Sequence, residues 1–207
     1  MLADRKTIVR TIVGPVHVRP LSALDAAAVV DAVFAGLSPR SRYLRFHSPI
    51  PRLTPSLRRA LADLDGHRRV AVAGYLGDPA GDPAGEPTGP PIGIARFVAT
   101  GGPGDGGTRG EADVAVAVVD RWQRRGIGYG LLTALTALAA DLGYRRLTGS
   151  VLPENTAMLA LAERLAPWSR PRWDGDSVRI DIPVGPLAGT ADWTITEEDV
   201  LADLLAR

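Results

Sequence analysis

The sequence predicts an α/β fold in which strands and helices alternate in layers, and three observations predict it. Segments with an apolar residue at every second position recur between segments with apolar residues every three to four positions. The 207 residues are 45% apolar, enough for one substantial core and short for two. Nowhere do about 18 apolar residues run uninterrupted, so no membrane span is expected.

"PVHVRPL" (15–21) alternates like a strand, and "SALDAAAVVDAVFAGL" (22–37) has helical spacing that ends near Gly36. The next segment, through residue 64, is broken by Pro39, Pro49, Pro51 and Pro55. It predicts a turn or short helix and then a helix after Thr54. Between the prolines, Arg42, Tyr43, Arg45, Phe46 and His47 lie together. "RRVAVAGYL" (68–76) and "PIGIARFVA" (91–99) read as strands joined by a mobile Pro/Gly loop over 77–91. A second glycine-rich loop (100–110) leads into the strand "EADVAVAVV" (111–119), and "RRGIGYG" (124–130) opens a helix through about Leu142. "YRRLTGSVL" (144–152) is a further strand, and "PENTAMLALAERLA" (153–166) a helix with Pro153 and Glu154 in its first turn. "RWDGDSVRIDIPV" (172–184) predicts a hairpin turning at Asp174 and Gly175. The tail (184–207) ends in a helix capped by Thr196, with Val200, Leu201, Leu204 and Leu205 on one stripe. That stripe is free to pack on the core or on a second copy of the chain as a homodimer. The whole reads as one domain with its core in 15–183.

Composition narrows the function. With 24 basic and 23 acidic side chains the formal charge is +1, which exerts no general pull on nucleic acid or membrane, so an anion must be met locally. The absence of cysteine removes disulfides, thiolate metal sites and cysteine nucleophiles, and fits a reducing cytoplasm. His17, His47 and His67 share no ligand spacing, so no metal is expected. The sole lysine is Lys6, which sets aside phosphate loops that need a lysine after their last glycine.

A helix N-terminus can hold phosphate with backbone N–H groups alone, and glycines let the ligand approach. "RRGIGYG" lies between a strand and an amphipathic helix, which suits an anion cradle; the plainer reading is a turn that needs glycine for its dihedral angles. A dinucleotide fingerprint fits poorly, because the spacing is G-x-G-x-G and residues 144–152 contain no acid for a ribose.

"QRRGIG" (123–128) matches the Q/R-x-x-G-x-G/A acyl-CoA motif of the GNAT superfamily of N-acetyltransferases, and the chain resembles that family on both sides of it. "ADVAVAVVDRWQ" looks like the family's fourth strand, and "GYRRLTGSVLPENTAMLALAERL" like its fifth strand and following helix. The stretch 37–54 is similar to the early helices of the Pat-type protein-lysine acetyltransferase branch, here without the regulatory domain that some of those enzymes carry. The resemblance spans about 15–183 in element order, with specific motifs between 112 and 165. It implies a mixed central sheet of six to seven strands flanked by helices and splayed between the fourth and fifth strands.

The resemblance also implies site residues. The amides of Arg124, Arg125, Gly126, Ile127, Gly128, Tyr129 and Gly130 would hold the pyrophosphate of acetyl-CoA. Main-chain groups of Val116, Ala117 and Val118 would pair with the pantetheine arm, and Asn155 would reach the same arm. Side chains of Arg124 and Arg125 either meet phosphate or are solvated. Asp113 falls where the Pat-type branch has a catalytic Glu; one methylene shorter, it would act through a bridging water. Its local residues alone read more readily as a carboxylate that is solvated or paired with an arginine such as Arg96 or Arg109 than as a base, and Glu111 is the reserve. The amide of Val116 would polarise the thioester carbonyl. Ala162 stands where many GNAT enzymes place a Tyr acid, so the acid is unassigned. Arg42, Tyr43, Phe46 and His47 are candidates to line the pocket of a primary-amine acceptor, a protein lysine or N-terminus or a small metabolite, unless they are core. The expected activity is acetyl transfer; an inactive acyl-CoA-sensing module and a longer acyl donor are the alternatives.

Overall fold

A computed structural model describes residues 7–11, 13–77, 89–101 and 110–184. The 77–91 loop falls largely, and the C-terminal helix wholly, outside them. Eight strands form one sheet, in the order β1-β2-β3-β4-β5-β6-β8-β7: β1 (Thr7–Thr11), β2 (Gly14–Pro20), β3 (Arg69–Leu76), β4 (Pro91–Ala99), β5 (Glu111–Val118), β6 (Arg146–Val151), β7 (Arg172–Asp174) and β8 (Ser177–Pro183). Among the described residues, five α-helices accompany it: α1 (Ala23–Ala35), α2 (Pro39–Phe46), α3 (Pro55–Ala62), α4 (Ile127–Asp141) and α5 (Thr156–Leu165).

This is the mixed, helix-flanked sheet expected from the sequence, with one strand more. β1 lies before the expected core and pairs antiparallel with β2 at the sheet edge, Val9 opposite Val16. Its single buried valine, beside an exposed Ile8, is too short a pattern to mark a strand. Every neighbouring pair is antiparallel except β5 and β6, which pair in parallel over Glu111–Asp113 and Arg146–Thr148 only. β5 then runs on beside β4 to Val118, and β6 beside β8 to Val151. The sheet is therefore split from Asp113 onward, at the expected place.

Period-two alternation divides the core. Val70 and Val72 face the α4 side with Ile92, Phe97, Leu131 and Leu135, whereas Ala73 and Tyr75 face α1 with Val29 and Val33. The short α2 and α3 form because Ser38 and Thr54 cap them, each accepting an N–H three residues on, with proline in the first turn. α5 starts later than its sequence pattern suggests. Pro153 and Glu154 sit in a turn before it and Asn155 is its N-cap, with Oδ1 accepting the N–H of Met158 at 3.2 Å. A side-chain acceptor at that point closes the first turn better than proline and glutamate do.

Candidate functional site

The split in the sheet opens into a cleft of about 810 Å³. One wall is the freed edge of β5 with the start of α4, and α5 faces it. The other wall is α2 together with β4. Among the residues singled out in the sequence, Asp113, Val116, Ala117, Val118, Arg124, Gly126, Gly128, Tyr129, Asn155, Phe46 and His47 line the cleft.

Strand chemistry sets which peptide groups of β5 are available. The Val119 N–H donates to the Ile92 carbonyl at 2.9 Å while Val118 lies opposite Gly93. In an antiparallel ladder this alternation turns the peptide groups of Asp113, Ala115 and Ala117 toward β4 and those of Val114, Val116 and Val118 away from it. The latter face the gap that β6 leaves. The Val118 carbonyl accepts Nε2–H of Gln123 at 2.9 Å, and the same Nε2 lies 3.2 Å from Ser41 Oγ and 3.1 Å from Asp120 Oδ1. Gln123 thus ties the end of β5 and the start of α2 to the glycine turn.

That turn is left-handed at two residues, Arg124 (φ 58°) and Gly126 (φ 79°), a conformation that is costly for arginine and natural for glycine. Gly126 is the N-cap of α4, so Gly126, Ile127, Gly128 and Tyr129 carry the amides that no helical carbonyl satisfies. The Gly130 N–H already donates to Gly126 O at 3.1 Å, which removes it from the expected set of phosphate-holding amides. Gly130 serves packing instead: a Cβ there would come within 2.7 Å of Val9 on β1. At Gly128 a Cβ would lie 3.3 Å from Leu161 of α5. The side chain of Ile127 is buried in the core, so only its backbone can reach the cleft. Arg125 does not line it; its guanidinium stacks 5.4 Å above the Trp122 ring.

Asp113 stands where β5 and β6 part. It is exposed, shares a face with Ala115 and Ala117, and accepts a hydrogen bond from Thr148 Oγ1 at 3.3 Å. Thr148, 1% exposed and directly across the last parallel pair, is a contact that only strand register reveals. No arginine pairs with Asp113 among the described residues. Glu111 is held by Arg146 and Arg179 at 3.4 and 3.5 Å and does not line the cleft, which withdraws it as reserve base. Ala162 is buried.

On the opposite wall two of the four acceptor candidates move out. Arg42 donates to the carbonyls of Pro51 and Phe34 at 2.7 and 3.2 Å and lies 4.1 Å above the Phe34 ring; it buttresses α2 against α1. Tyr43 is 37% exposed on the outer side of α2 and does not line the cleft. Phe46 and His47, the latter a left-handed cap at φ 54°, remain. The wall also contains residues that the sequence reading missed. Arg45 and Arg96 both line it. Burial, and after it the charge of Arg96, pulls the Arg45 guanidinium down to about 10. Burial likewise lowers that of Arg96, with Asp63 opposing and Arg69 adding. At the far rim, Arg164 lies 4.3 Å over the Tyr129 ring. Among the described residues no cluster of His, Asp or Glu could hold a metal, and no helix is long and apolar enough to cross a membrane.

Comparison with known proteins gives the geometry a context. The model of the acetyltransferase (GNAT) family matches residues 48–166. No curated protein matches the sequence. Among solved structures, the GNAT domain of S. lividans PAT is 27% identical at a TM-score of 0.70, over 86% of this chain and 96% of that one. A mutant form of the cAMP-binding acyltransferase from Mycobacterium smegmatis is 25% identical at a TM-score of 0.58, over 97% of this chain. This chain spans 54% of that protein. At 18% identity, yncA from Salmonella typhimurium, solved with its cofactor acetyl-CoA, shares the fold at a TM-score of 0.55, over 85% of this chain and 98% of its own.

Proposed function

Starting from the fact that this chain belongs to the acetyltransferase (GNAT) family, we propose that it is an acetyl-CoA-dependent N-acetyltransferase that acts by direct attack of a primary amine. The observation that carries this reading is that two sets of unpaired backbone groups, Val116 with the Val118 N–H on the freed edge of β5 and the amides in the first turn of α4, open on one cleft.

The amides of Gly126, Ile127, Gly128 and Tyr129 would hold the pyrophosphate, aided by the positive end of the α4 dipole. Arg124 and Arg164, both on the cleft, would supply charge at its rim. Val116 and the N–H of Val118, whose carbonyl is held by Gln123, would pair with the pantetheine arm as an added strand would. Asn155 Nδ2 has no partner among the described residues and is free to join them, since Oδ1 alone makes the cap. Ala117 presents only its side chain to that wall, because its peptide groups belong to β4.

An amine with a pKa of about 10.4 is almost wholly protonated at neutral pH and must lose a proton before it attacks. Asp113, fixed by Thr148, would take that proton through a bridging water. The N–C bond then forms as the C–S bond breaks, with the Val116 N–H donating to the carbonyl oxygen. Coenzyme A leaves as a thiolate. Ala162 supplies no acid, and a thiolate near neutral pH needs little help to leave.

The reading is tested by supplying acetyl-CoA with a panel of primary amines and following free thiol. Release above buffer hydrolysis with at least one amine is expected. Folded protein that binds acetyl-CoA yet releases no thiol with any amine would instead be an acyl-CoA-sensing module, for which the short carboxylate at 113 is the specific argument.

A further inference from the structure

Two guanidinium groups converge on the acceptor wall without an acid of their own. Arg45 in the last turn of α2 and Arg96 on β4 line both the main cleft and a small cavity of about 40 Å³ behind it, otherwise walled by groups such as Val30, Val33, Phe34 and Leu61. Other arginines nearby are spoken for: Arg58 holds Asp31 at 2.6 Å, and Arg69 holds Asp63 and Asp65 at 3.1 and 3.2 Å. Arg96 gives Nη1–H to the Ala60 carbonyl at 3.3 Å, and its buried Nε has no partner. Arg45 lies 5.0 Å from the centre of the Phe46 ring and makes no hydrogen bond or ion pair among the described residues.

Two like charges in a mostly apolar recess are unfavourable for folding, and their low guanidinium pKa directions express the same cost. An arriving anion offsets it. A guanidinium fork matches a carboxylate or phosphate in two parallel hydrogen bonds, and Arg45 and Arg96 present two forks to one space. Sheet register fixes where that space lies. Arg96 is opposite Ala115 and Asp113 is opposite Val98, so Arg96 and Asp113 are diagonal neighbours on one face, a relation that sets residues about 7–8 Å apart across the strand pair. No ion pair joins them among the described residues. An amine at Asp113 and an anion at the arginines can therefore belong to one molecule.

We propose that Arg45 and Arg96 form an anion subsite that selects amine acceptors carrying a carboxylate or phosphate group within a few bonds of the amine. This rests on the acetyl-transfer reading above and names the acceptor's chemistry.

The test pairs ω-amino acids with their carboxamides, which change the anion while disturbing the distant amine little. A second arm uses peptides with lysine beside aspartate or beside asparagine, and so distinguishes a free acceptor from a protein one. In at least one arm the wild type should favour the anionic partner by about tenfold in kcat/KM, and Arg45→Gln and Arg96→Gln should each erase most of that preference. Arg52→Gln, on the exposed surface, should keep it. Parity between anionic and neutral partners in both arms overturns the proposal, as does a preference that survives both substitutions. Loss of a half-buried, unpaired cation should raise Tm in Arg45→Gln, whereas a structural arginine would lower it. If no amine of any kind releases thiol, acetyl transfer fails and the subsite is decided separately. Calorimetry with 5-aminopentanoate in the presence of coenzyme A should then show binding weakened about tenfold by either substitution, and equal binding overturns it.

Discussion

The β5–α4 wall of the cleft offers peptide groups, whereas the α2–β4 wall offers guanidinium side chains, and the two are specified in different ways. On the first wall, the proposed recognition would come from what the main chain leaves unpaired: Val116 and the Val118 N–H where β6 departs, and four amides at the start of α4. On the second, Arg45 and Arg96 come together from α2 and β4 because the helix packs over the strand. A wall of main chain suits a ligand shared by every turnover. A wall of side chains is where, on the proposed reading, the acceptor would be distinguished. The comparison is open to attack from either side.

The largest effect is expected at the point where the walls meet. Asp113→Asn keeps the shape and the acceptor role toward Thr148 while removing the base, so kcat should fall about 100-fold and the KM for acetyl-CoA should stay. Steady-state thiol release with one amine measures both. A parallel rise in the acetyl-CoA KM would mean that Asp113 belongs to the donor wall.

Gly126→Val attacks the donor wall alone. A β-branched side chain at φ 79° costs about 1–2 kcal/mol, and relaxing it rotates the amides that face the cleft. The acetyl-CoA KM should rise about tenfold, with preference among amines unaltered. Gly130→Ala sharpens the point four residues further on. Its added Cβ meets Val9 and not the cleft, so the expected cost is about 1 kcal/mol of stability, read from denaturant midpoints, with the acetyl-CoA KM unchanged. The spacing G-x-G-x-G thus contains three different requirements: a left-handed cap, close approach to α5, and close approach to β1.

The same contrast explains what was legible in the sequence. Strand β5 and the glycine turn are neighbours in the chain, and the alternation of "ADVAVAVV" with the glycines after it carries the whole donor wall in one stretch. The helices and strands of the core follow from equally local patterns. Thr148 against Asp113, by contrast, depends on a parallel register between residues 35 positions apart. Arg45 was seen in the sequence only as part of a mixed cluster, and Arg96 only as a strand residue that could pair with Asp113; nothing in either stretch says that they share a cavity. Gly130 was misassigned because its spacing suits the cradle, while its true constraint, Val9, lies in an edge strand too short to announce itself.

The smallest effect is expected behind the acceptor wall, and its sign follows from titration. Asp65 sits in the turn before β3, where Oδ1 accepts the N–H groups of His67, Arg68 and Arg69 at 2.9, 2.7 and 2.9 Å. Burial pushes its carboxyl up, but those three donors and the Arg69 charge outweigh it and hold the pKa at about 2. Because the folded value lies below the ordinary 3.8, the folded state binds fewer protons, and the stabilisation is present above pH 3.8 and lost as pH falls through about 2. Asp65→Asn should therefore cost under about 1 kcal/mol near neutrality, after allowance for exposure. The gap from wild type should close between those two pH values. Urea midpoints at pH 7, 4 and 2 measure it. Arg69 also holds Asp63, the acid that opposes the lowering of Arg96. If the turn supports only the acceptor side, Asp65→Asn should leave acetyl-CoA affinity untouched at pH 7; a matching loss there would join the two walls into one cooperative unit.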